Sequence, residues 1–202
     1  MKTKKKILVA LALVGCAILL VAGSIAGTIA YLTATDSVTN TFTVGNVTIK
    51  LDEAPVNANG EKTTGDRVKS NSYHLVPNGT YDKDPTITVA AGSDECYLYA
   101  KVVNPIAGVE GATTIAGQLA ANGWNVLDAE NGIYVYHQEV AKSNTATEVV
   151  LFEQVTIGEN VTNEQLAALS GNVVITAYAV QTSGFTTAEA AWTATFGKPA
   201  NS

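Results

Sequence analysis

Basic residues are few in this sequence, and their only cluster is at its start. The 202 residues include 12 Lys and Arg against 18 Asp and Glu, a formal net charge of −6. Four of the lysines lie at positions 2–6, so the rest of the chain has eight basic residues. Binding to nucleic acid needs grouped Lys and Arg that neutralise phosphates. We therefore expect no nucleic-acid partner.

Cysteine is also scarce, with only Cys16 and Cys96 in the chain. Cys16 lies in an N-terminal segment that we expect to be removed, which leaves Cys96 alone and excludes an internal disulfide. Cys96 alternates with Leu98 and Ala100, and a two-residue period places all three on one face of a strand. We expect Cys96 to be a small core residue rather than a reactive thiol.

Catalytic and metal-binding patterns are missing from the sequence. His74 and His137 lie outside any H-E-x-x-H pattern, and no G-x-S-x-G, P-loop or Cys-x-x-Cys motif occurs. One loose group of acidic residues is interpreted as part of a solvated turn rather than as paired catalytic carboxylates: Asp82, Asp84, Asp94 and Glu95. The sequence thus predicts no enzyme, no cofactor and no metal site.

The N-terminus has the three parts of a secretory signal. Its lysines precede an apolar run over residues 7–30, which ends in small residues. Thr28 with Ala30, and Ser24 with Ala26, both place small residues at the positions that a signal peptidase reads. We favour the first pair and expect removal of residues 1–30 by cleavage between Ala30 and Tyr31. The protein would then be secreted, with signal peptidase as an export partner and with membrane contact only through the uncleaved signal.

Two alternatives for this segment stay open. The apolar run exceeds the about 20 residues that a membrane-spanning helix needs, so its length does not exclude an uncleaved anchor. The stretch LVGC at 13–16 matches a lipobox, in which Cys16 would be lipidated. Apolar residues follow Cys16 where a polar tether is usual, which favours an unmodified cysteine within an apolar helix.

The rest of the chain has the pattern of an all-β protein. Short runs of Val, Ile, Thr and Tyr alternate with clusters of Gly, Asn, Asp and Pro. Strands are predicted over residues 40–51, 85–89, 96–103, 133–137, 148–157 and 172–181, the last as a central strand.

The connections between these strands can also be predicted. The apolar face changes phase at Gly45-Asn46, which indicates a bulge or tight bend. Residues 91–94 predict a hairpin between the strands on either side of them. Residues 52–72 have little apolar material and predict a long exposed loop.

Helices are predicted to be short. A capping-box pattern starts at Thr162, and a similar pattern starts at Thr186. A third helix is expected around residues 115–121, ending at Asn122-Gly123.

Several segments resemble the TasA and camelysin family. They are GTIAYLTATD at 27–36, NTFTVGNVTI at 40–49, PNGTY at 77–81 with the strand that follows residue 93, and ITAYAVQ at 175–181. Leu32 departs from the family, which usually has an aromatic residue there. The family is exported through a SipW-type signal peptidase in Gram-positive bacteria.

The resemblance implies a jelly-roll-like antiparallel β-sandwich with a few short flanking helices. It divides the chain into a signal over 1–30, a connector over 31–40, a sandwich domain over 41–197 and a tail over 198–202. It also implies an extracellular role in a biofilm-type matrix or at the cell surface, where the protein associates with itself into fibres.

Assembly by strand exchange is the mechanism that this resemblance implies. An open sheet edge can be completed by a strand from a neighbour. The mature N-terminus would be that donor, through Tyr31, Leu32, Thr33, Ala34, Thr35, Asp36 and Ser37. Two alternatives are a camelysin-type secreted metalloendopeptidase, for which the sequence offers no zinc motif, and a monomeric cell-surface binding module.

Overall fold

The computed structural model describes residues 33–35, 37–44 and 46–199. Over these residues the chain is mainly β, with largely antiparallel sheets and three short helices, which confirms the predicted class. The strands are β1 Thr33–Thr35, β2 Ser37–Val44, β3 Ile49–Asp52, β4 Ser72–His74, β5 Thr80–Asp82, β6 Thr86–Val89, β7 Cys96–Val103, β8 Trp124–Asp128, β9 Ile133–Tyr136, β10 Thr147–Val150, β11 Gln154–Thr156 and β12 Val174–Gln181. The helices are α1 Ile115–Ala121, α2 Asn163–Ala167 and α3 Ala188–Phe196, with a short 3-10 turn at Ala107–Val109.

Two sheets contain most of the strands. The larger has the order β2-β12-β7-β9-β8, and the smaller has the order β10-β6-β3. Two further pairs, β1 with β4 and β5 with β11, are separate. Both β2 and β12 of the larger sheet contact β3 of the smaller one. The pairing of β2 with β12 is parallel, whereas the other registered pairs are antiparallel.

Strand β7 is buried on both faces, and β12 is buried on one face and mostly half-buried on the other. Along β7, Leu98 and Ala100 alternate with Tyr97 and Tyr99, and all four are buried. The tyrosine face packs against α3, where the Tyr99 hydroxyl donates to the carbonyl of Ala188 at 2.6 Å. A strand buried on both faces is apolar without alternation, and the sequence correctly predicted β12 as central.

The predicted hairpin between β6 and β7 is wrong, because the two strands belong to different sheets. The connection between them bonds instead to the crossover from β2 to β3. The amide of Ala90 donates to the carbonyl of Thr48 at 2.8 Å, and the amide of Thr48 donates to Ser93 Oγ at 3.1 Å. Two crossovers therefore satisfy each other's backbone groups, which short-range turn signals do not reveal.

Two predicted strands are each divided between sheets. Residues 40–51 contain the end of β2 and most of β3, so the change of phase marks a crossover between sheets. Residues 148–157 contain most of β10 and all of β11, which pair with β6 and β5 respectively. Leu151 and Phe152 lie between them, fully buried, so an apolar run continues through the break.

The three predicted helices are present, and each begins at a threonine cap. Thr162 caps α2 in a complete capping box with Gln165. Thr114 caps α1, which ends at Asn122. In the third case Thr187 is the cap rather than Thr186, since its hydroxyl accepts from the amide of Ala190 at 3.1 Å. Each hydroxyl satisfies an amide that has no partner within its helix.

Candidate strand-exchange site and a buried charged cluster

The candidate strand-exchange site is the edge of β12 that β2 covers. The parallel register pairs Ser37 with Val174 at one end and Val44 with Val180 at the other, with an irregularity between Ile175 and Ala177. On its other side β12 pairs with β7 along its whole length. Removal of β2 would leave the outer backbone groups of β12 available to another strand.

The side chains of β12 pack into the core on one face and against α3 on the other. Ile175, Ala177 and Ala179 are each fully buried. Tyr178 lies on the opposite face, where its ring centroid is 5.4 Å from that of Trp192. Besides β2, strand β12 contacts β7, β3 and α3, so elements other than β2 also hold it.

The predicted donor residues fall into three groups. Thr33, Ala34 and Thr35 form β1, and Ser37 is the first residue of β2. Tyr31, Leu32 and Asp36 lie outside the described residues, as do the predicted cleavage bond at Ala30 and Tyr31, the signal over 1–30 with Cys16, and residues 200–202. The predicted connector over 31–40 overlaps with the start of β2, which begins at Ser37.

A buried charged cluster lies within the segment that was predicted to be an exposed loop. Glu53 and Lys83 form an ion pair with Lys83 Nζ 2.6 Å from Glu53 Oε2, and their side chains are 0% and 1% exposed. Asn71 Nδ2 donates to the other oxygen of the same carboxylate, Glu53 Oε1, at 2.9 Å. Much of the segment from residue 57 to 66 is exposed as predicted, but its start is not.

Arg67 forms the second half of this cluster. It binds both Asp52 and Asp84, and its Nη2 donates to Thr86 Oγ1 at 2.8 Å. Burial opposes the charge of Arg67, but the hydrogen bonds with Asp52 and Asp84 raise its pKa above the ordinary value. Asp52 is buried, with a 2% exposed side chain, and Lys50 Nζ lies 2.6 Å from its Oδ2.

Asp84 receives hydrogen bonds from three directions. Its Oδ1 accepts from the amide of Ala54 at 2.6 Å, and its Oδ2 accepts from Lys62 Nζ at 2.7 Å and from Arg67. Burial would raise the pKa of Asp84, but these donors outweigh it and lower the pKa below the ordinary carboxyl value.

The sequence pattern contains a signal for this cluster that the loop interpretation overlooked. Glu53 follows buried Leu51 by two residues, and Lys83 follows buried Tyr81 by two residues. A two-residue period places both charged side chains on the core faces of their strands. Charged residues are rarely fully buried unless they are paired. Two buried positions of opposite charge therefore predict an ion pair between Glu53 and Lys83.

The acidic group around the predicted turn does not exist as one group. Asp94 pairs with Lys142 at 2.8 Å, and Glu95 accepts from the Thr182 hydroxyl at 3.1 Å. Asp82 accepts from the amide of Lys62 at 2.7 Å. Asp82 and Asp84 both bind Lys62, whereas Asp94 and Glu95 lie in the connection to a different sheet and bind other partners.

Cys96 is a core residue, as predicted, with 0% of its surface exposed. Burial, with a smaller effect of Glu95, raises the pKa of its thiol to about 11, which keeps it protonated near neutral pH. His74 and His137 are both exposed. His137 Nδ1 lies 3.2 Å from the carbonyl of Gly123.

Among the described residues, no group of three or more His, Cys, Asp or Glu side chains has the arrangement of a metal site. No helix within the same part of the chain has the length and apolar character needed to cross a membrane. The prediction that the chain is not an enzyme stays a prediction.

Comparison with known proteins gives no match. No family model matches the chain, and neither a curated protein nor a solved structure is similar to it. The resemblance to the TasA and camelysin family therefore stays a prediction from the motifs quoted above.

Proposed function

We propose that this protein is exported and assembles with copies of itself into extracellular fibres or a surface layer by exchange of its N-terminal strand. In a monomer, β2 covers the edge of β12 of the same chain. In an assembly, the N-terminal strand of one copy covers that edge in the next copy, within a jelly-roll-like sandwich. Removal of the signal frees the N-terminus and so permits assembly.

The position of β2 is the observation that supports this proposal most strongly. It is an edge strand near the N-terminus, and among the described residues its registered partner is β12 alone. Its backbone hydrogen bonds each contribute about 0.5–1.5 kcal/mol net, and an exchanged strand makes them again in the neighbour. Exchange of an identical element is therefore a low-cost route to association.

A reversible tether between β2 and β12 tests this proposal. Ser37 and Val174 are register partners at one end of the pair, so the double variant Ser37→Cys/Val174→Cys places two thiols opposite each other. We expect the oxidised variant to stay monomeric in light scattering and the reduced variant to form filaments visible by negative-stain electron microscopy. The single variant Val174→Cys is the control, and it should assemble under both conditions. Equal assembly of the oxidised and reduced double variant would contradict strand exchange.

A deletion tests the predicted donor residues directly. A mature protein that lacks residues 31–37 should stay folded, because the buried core begins at Val47 in the part of the chain whose side chains are described. We expect it to remain monomeric, because the exchanged N-terminal segment would lose β1 and the first residue of β2. A peptide of residues 31–37 should stop the growth of fibres from the intact protein. Normal fibres from the shortened protein would exclude these residues as the donor.

The predicted export can be tested separately from assembly. Expression in a Gram-positive host should give a supernatant protein whose N-terminal sequencing begins at or within a few residues of Tyr31. A product that retains the apolar run, or that carries lipid on Cys16, would contradict cleavage at this site.

A further inference from the structure

Three side chains in the charged cluster bring together an amine, a carboxylate and a carboxamide. The carboxylate of Glu53 holds an amine on one oxygen and a carboxamide on the other, through Lys83 Nζ at 2.6 Å and Asn71 Nδ2 at 2.9 Å. Glu53 and Lys83 are buried, so bulk water does not separate them. An amine, a carboxamide and a carboxylate that contacts both are the groups needed to make an amide bond.

We propose that Lys83 and Asn71 become joined by an intramolecular isopeptide bond, with Glu53 as the group that transfers the protons. This modification is independent of the proposed fibre assembly, because it concerns only residues within one copy of the domain. The described cysteine, Cys96, is a free thiol. The isopeptide bond would give the domain a covalent cross-link in place of a disulfide.

The reaction balances without an oxidant or another reagent. Glu53 accepts a proton from the ammonium of Lys83, and the neutral amine nitrogen attacks Cγ of Asn71. The bond between Cγ and Nδ2 then breaks, and Glu53 returns its proton to the departing nitrogen. The products are an amide between Lys83 and residue 71 and one molecule of ammonia, which leaves uncharged, while Glu53 keeps the second proton of the amine.

The surroundings of Asn71 favour this attack. Its Oδ1 accepts from the amide of Val56 at 3.1 Å, so a donor already lies where negative charge develops on that oxygen. Its Nδ2 also donates to the carbonyl of Ala54 at 2.8 Å, which fixes the plane of the carboxamide. Attack on a fixed, polarised carboxamide loses little orientational freedom.

The amine and the carboxylate are held in place by their backbones. The amide of Lys83 donates to the carbonyl of Glu153 at 3.0 Å, while Glu53 exchanges two backbone hydrogen bonds with Val68 at 2.9 and 2.7 Å. Beside Lys83 is a small, mainly apolar cavity of about 30 Å³, and the ring of Tyr73 lies 5.7 Å from Nζ. Bond formation would remove the positive charge of Lys83 from this apolar site, and protonated Glu53 would then carry no charge either, so that no buried charge is left without a partner.

Mass spectrometry of the purified full-length or processed protein tests the proposal. We expect an intact mass that is lower than the sequence mass by about 17 Da, the mass of ammonia. We also expect trypsin to leave the chain uncut after Lys83. In a chymotryptic digest, which cuts after Tyr73 and after Tyr81, the peptides that contain Asn71 and Lys83 should remain joined. Recovery of these two peptides separately at their full masses would overturn the proposal.

Variants distinguish this bond from other losses of ammonia. Asn78 precedes Gly79 in the tryptic peptide that also contains Asn71 and Lys83. Cyclisation of Asn78 to a succinimide would lower the mass by one ammonia as well, but it would not join two chymotryptic peptides. Asn78→Ala should therefore keep the joined peptides, whereas Asn71→Ala and Lys83→Arg should release them. Glu53→Gln keeps the size of the side chain but cannot accept the proton, so it should also give separate peptides. Joined peptides in Asn71→Ala or in Glu53→Gln would contradict the assigned roles.

Discussion

Helix α3 and the segment over residues 52–72 both cover strands, but with opposite chemistry. Helix α3 covers β7 and β12 with aromatic rings, and the ring centroid of Trp192 lies 5.0 Å from that of Tyr99 and 4.6 Å from that of Phe196. The segment over 52–72 covers β3 and β6 with charges, through Arg67 bound to Asp52 and Thr86.

The difference determines what each region contributes to the fold. Aromatic burial is non-directional and tolerates small adjustments, so α3 stabilises the sheet in proportion to the area it removes from water. Buried charges are stabilising only when every partner is in position, because an unpaired one carries a large desolvation penalty. The charged cluster therefore specifies where the segment lies, while α3 supplies stability.

The largest expected effect is on the aromatic side of this comparison. Trp192→Ala removes a side chain that is only 7% exposed, and we expect it to lower the free energy of unfolding by about 3–5 kcal/mol. Chemical denaturation measures this change. Thr193→Ala, at an exposed position of the same helix, should change it by less than about 0.5 kcal/mol. Similar losses for both variants would show that the helix, not the ring, provides the stability.

The charged side should respond strongly to the loss of one buried partner. Arg67→Ala leaves the buried carboxylate of Asp52 without its guanidinium, and we expect a loss of about 1–3 kcal/mol in chemical denaturation. The matched control is Lys50→Ala, which removes the exposed cation on the same carboxylate and should cost about 0–1 kcal/mol. If the two variants lost equal stability, the cluster would be a surface network and the comparison would fail.

The helix cap allows a smaller test on the aromatic side. Thr187→Ala removes the hydroxyl that accepts from the amide of Ala190, and should cost about 1 kcal/mol in thermal or chemical unfolding. Thr186→Ala is the matched control, because the capping role belongs to its neighbour. A greater loss in the control than in Thr187→Ala would place the start of α3 one residue earlier.

The last test has its effect only in acid. The folded state lowers the pKa of Asp84 below its ordinary value of 3.8. Such a group contributes stability that is complete above the unfolded-state pKa and is lost as the pH falls through the folded-state value. We therefore expect the stability difference between the wild type and Asp84→Asn to be constant near neutral pH and to shrink below pH 3.8. A difference that stays constant down to strongly acidic pH would exclude the ion pairs of Asp84 as its source.

The aromatic region could be predicted from the sequence, whereas the charged region could not be predicted as a whole. Apolar runs identified β7 and β12, because burial of apolar side chains imposes a local pattern along each strand. A capping pattern identified α3. The ion pair of Glu53 and Lys83 joins residues that are 30 positions apart. In the local sequence, a charged residue that is paired with a distant partner looks the same as one exposed to water. Only the alternation of buried and exposed positions along the strand distinguishes the two.

Strand order was the second limit of prediction. The turn signal at 91–94 is genuine, since Gly92 has a positive φ of 80°. A turn indicates that the chain changes direction, but not which sheet it enters next. For the candidate site, the sequence indicated an N-terminal donor, but it did not predict the parallel pairing with β12, because no local pattern identifies a partner so far along the chain.

The parallel pairing of β2 with β12 also affects when the larger sheet can be completed during folding. β2 ends at Val44 and its partner begins at Val174, so a chain that emerges from its N-terminus carries β2 long before β12 is available. Pairs so far apart in sequence form late and slowly, because a long loop must be closed first. Until then β2 is an unpaired strand, and in the proposed assembly another copy would capture it. The order of emergence, and the local concentration of neighbouring chains, would therefore decide whether β2 pairs within its own copy or with the next one.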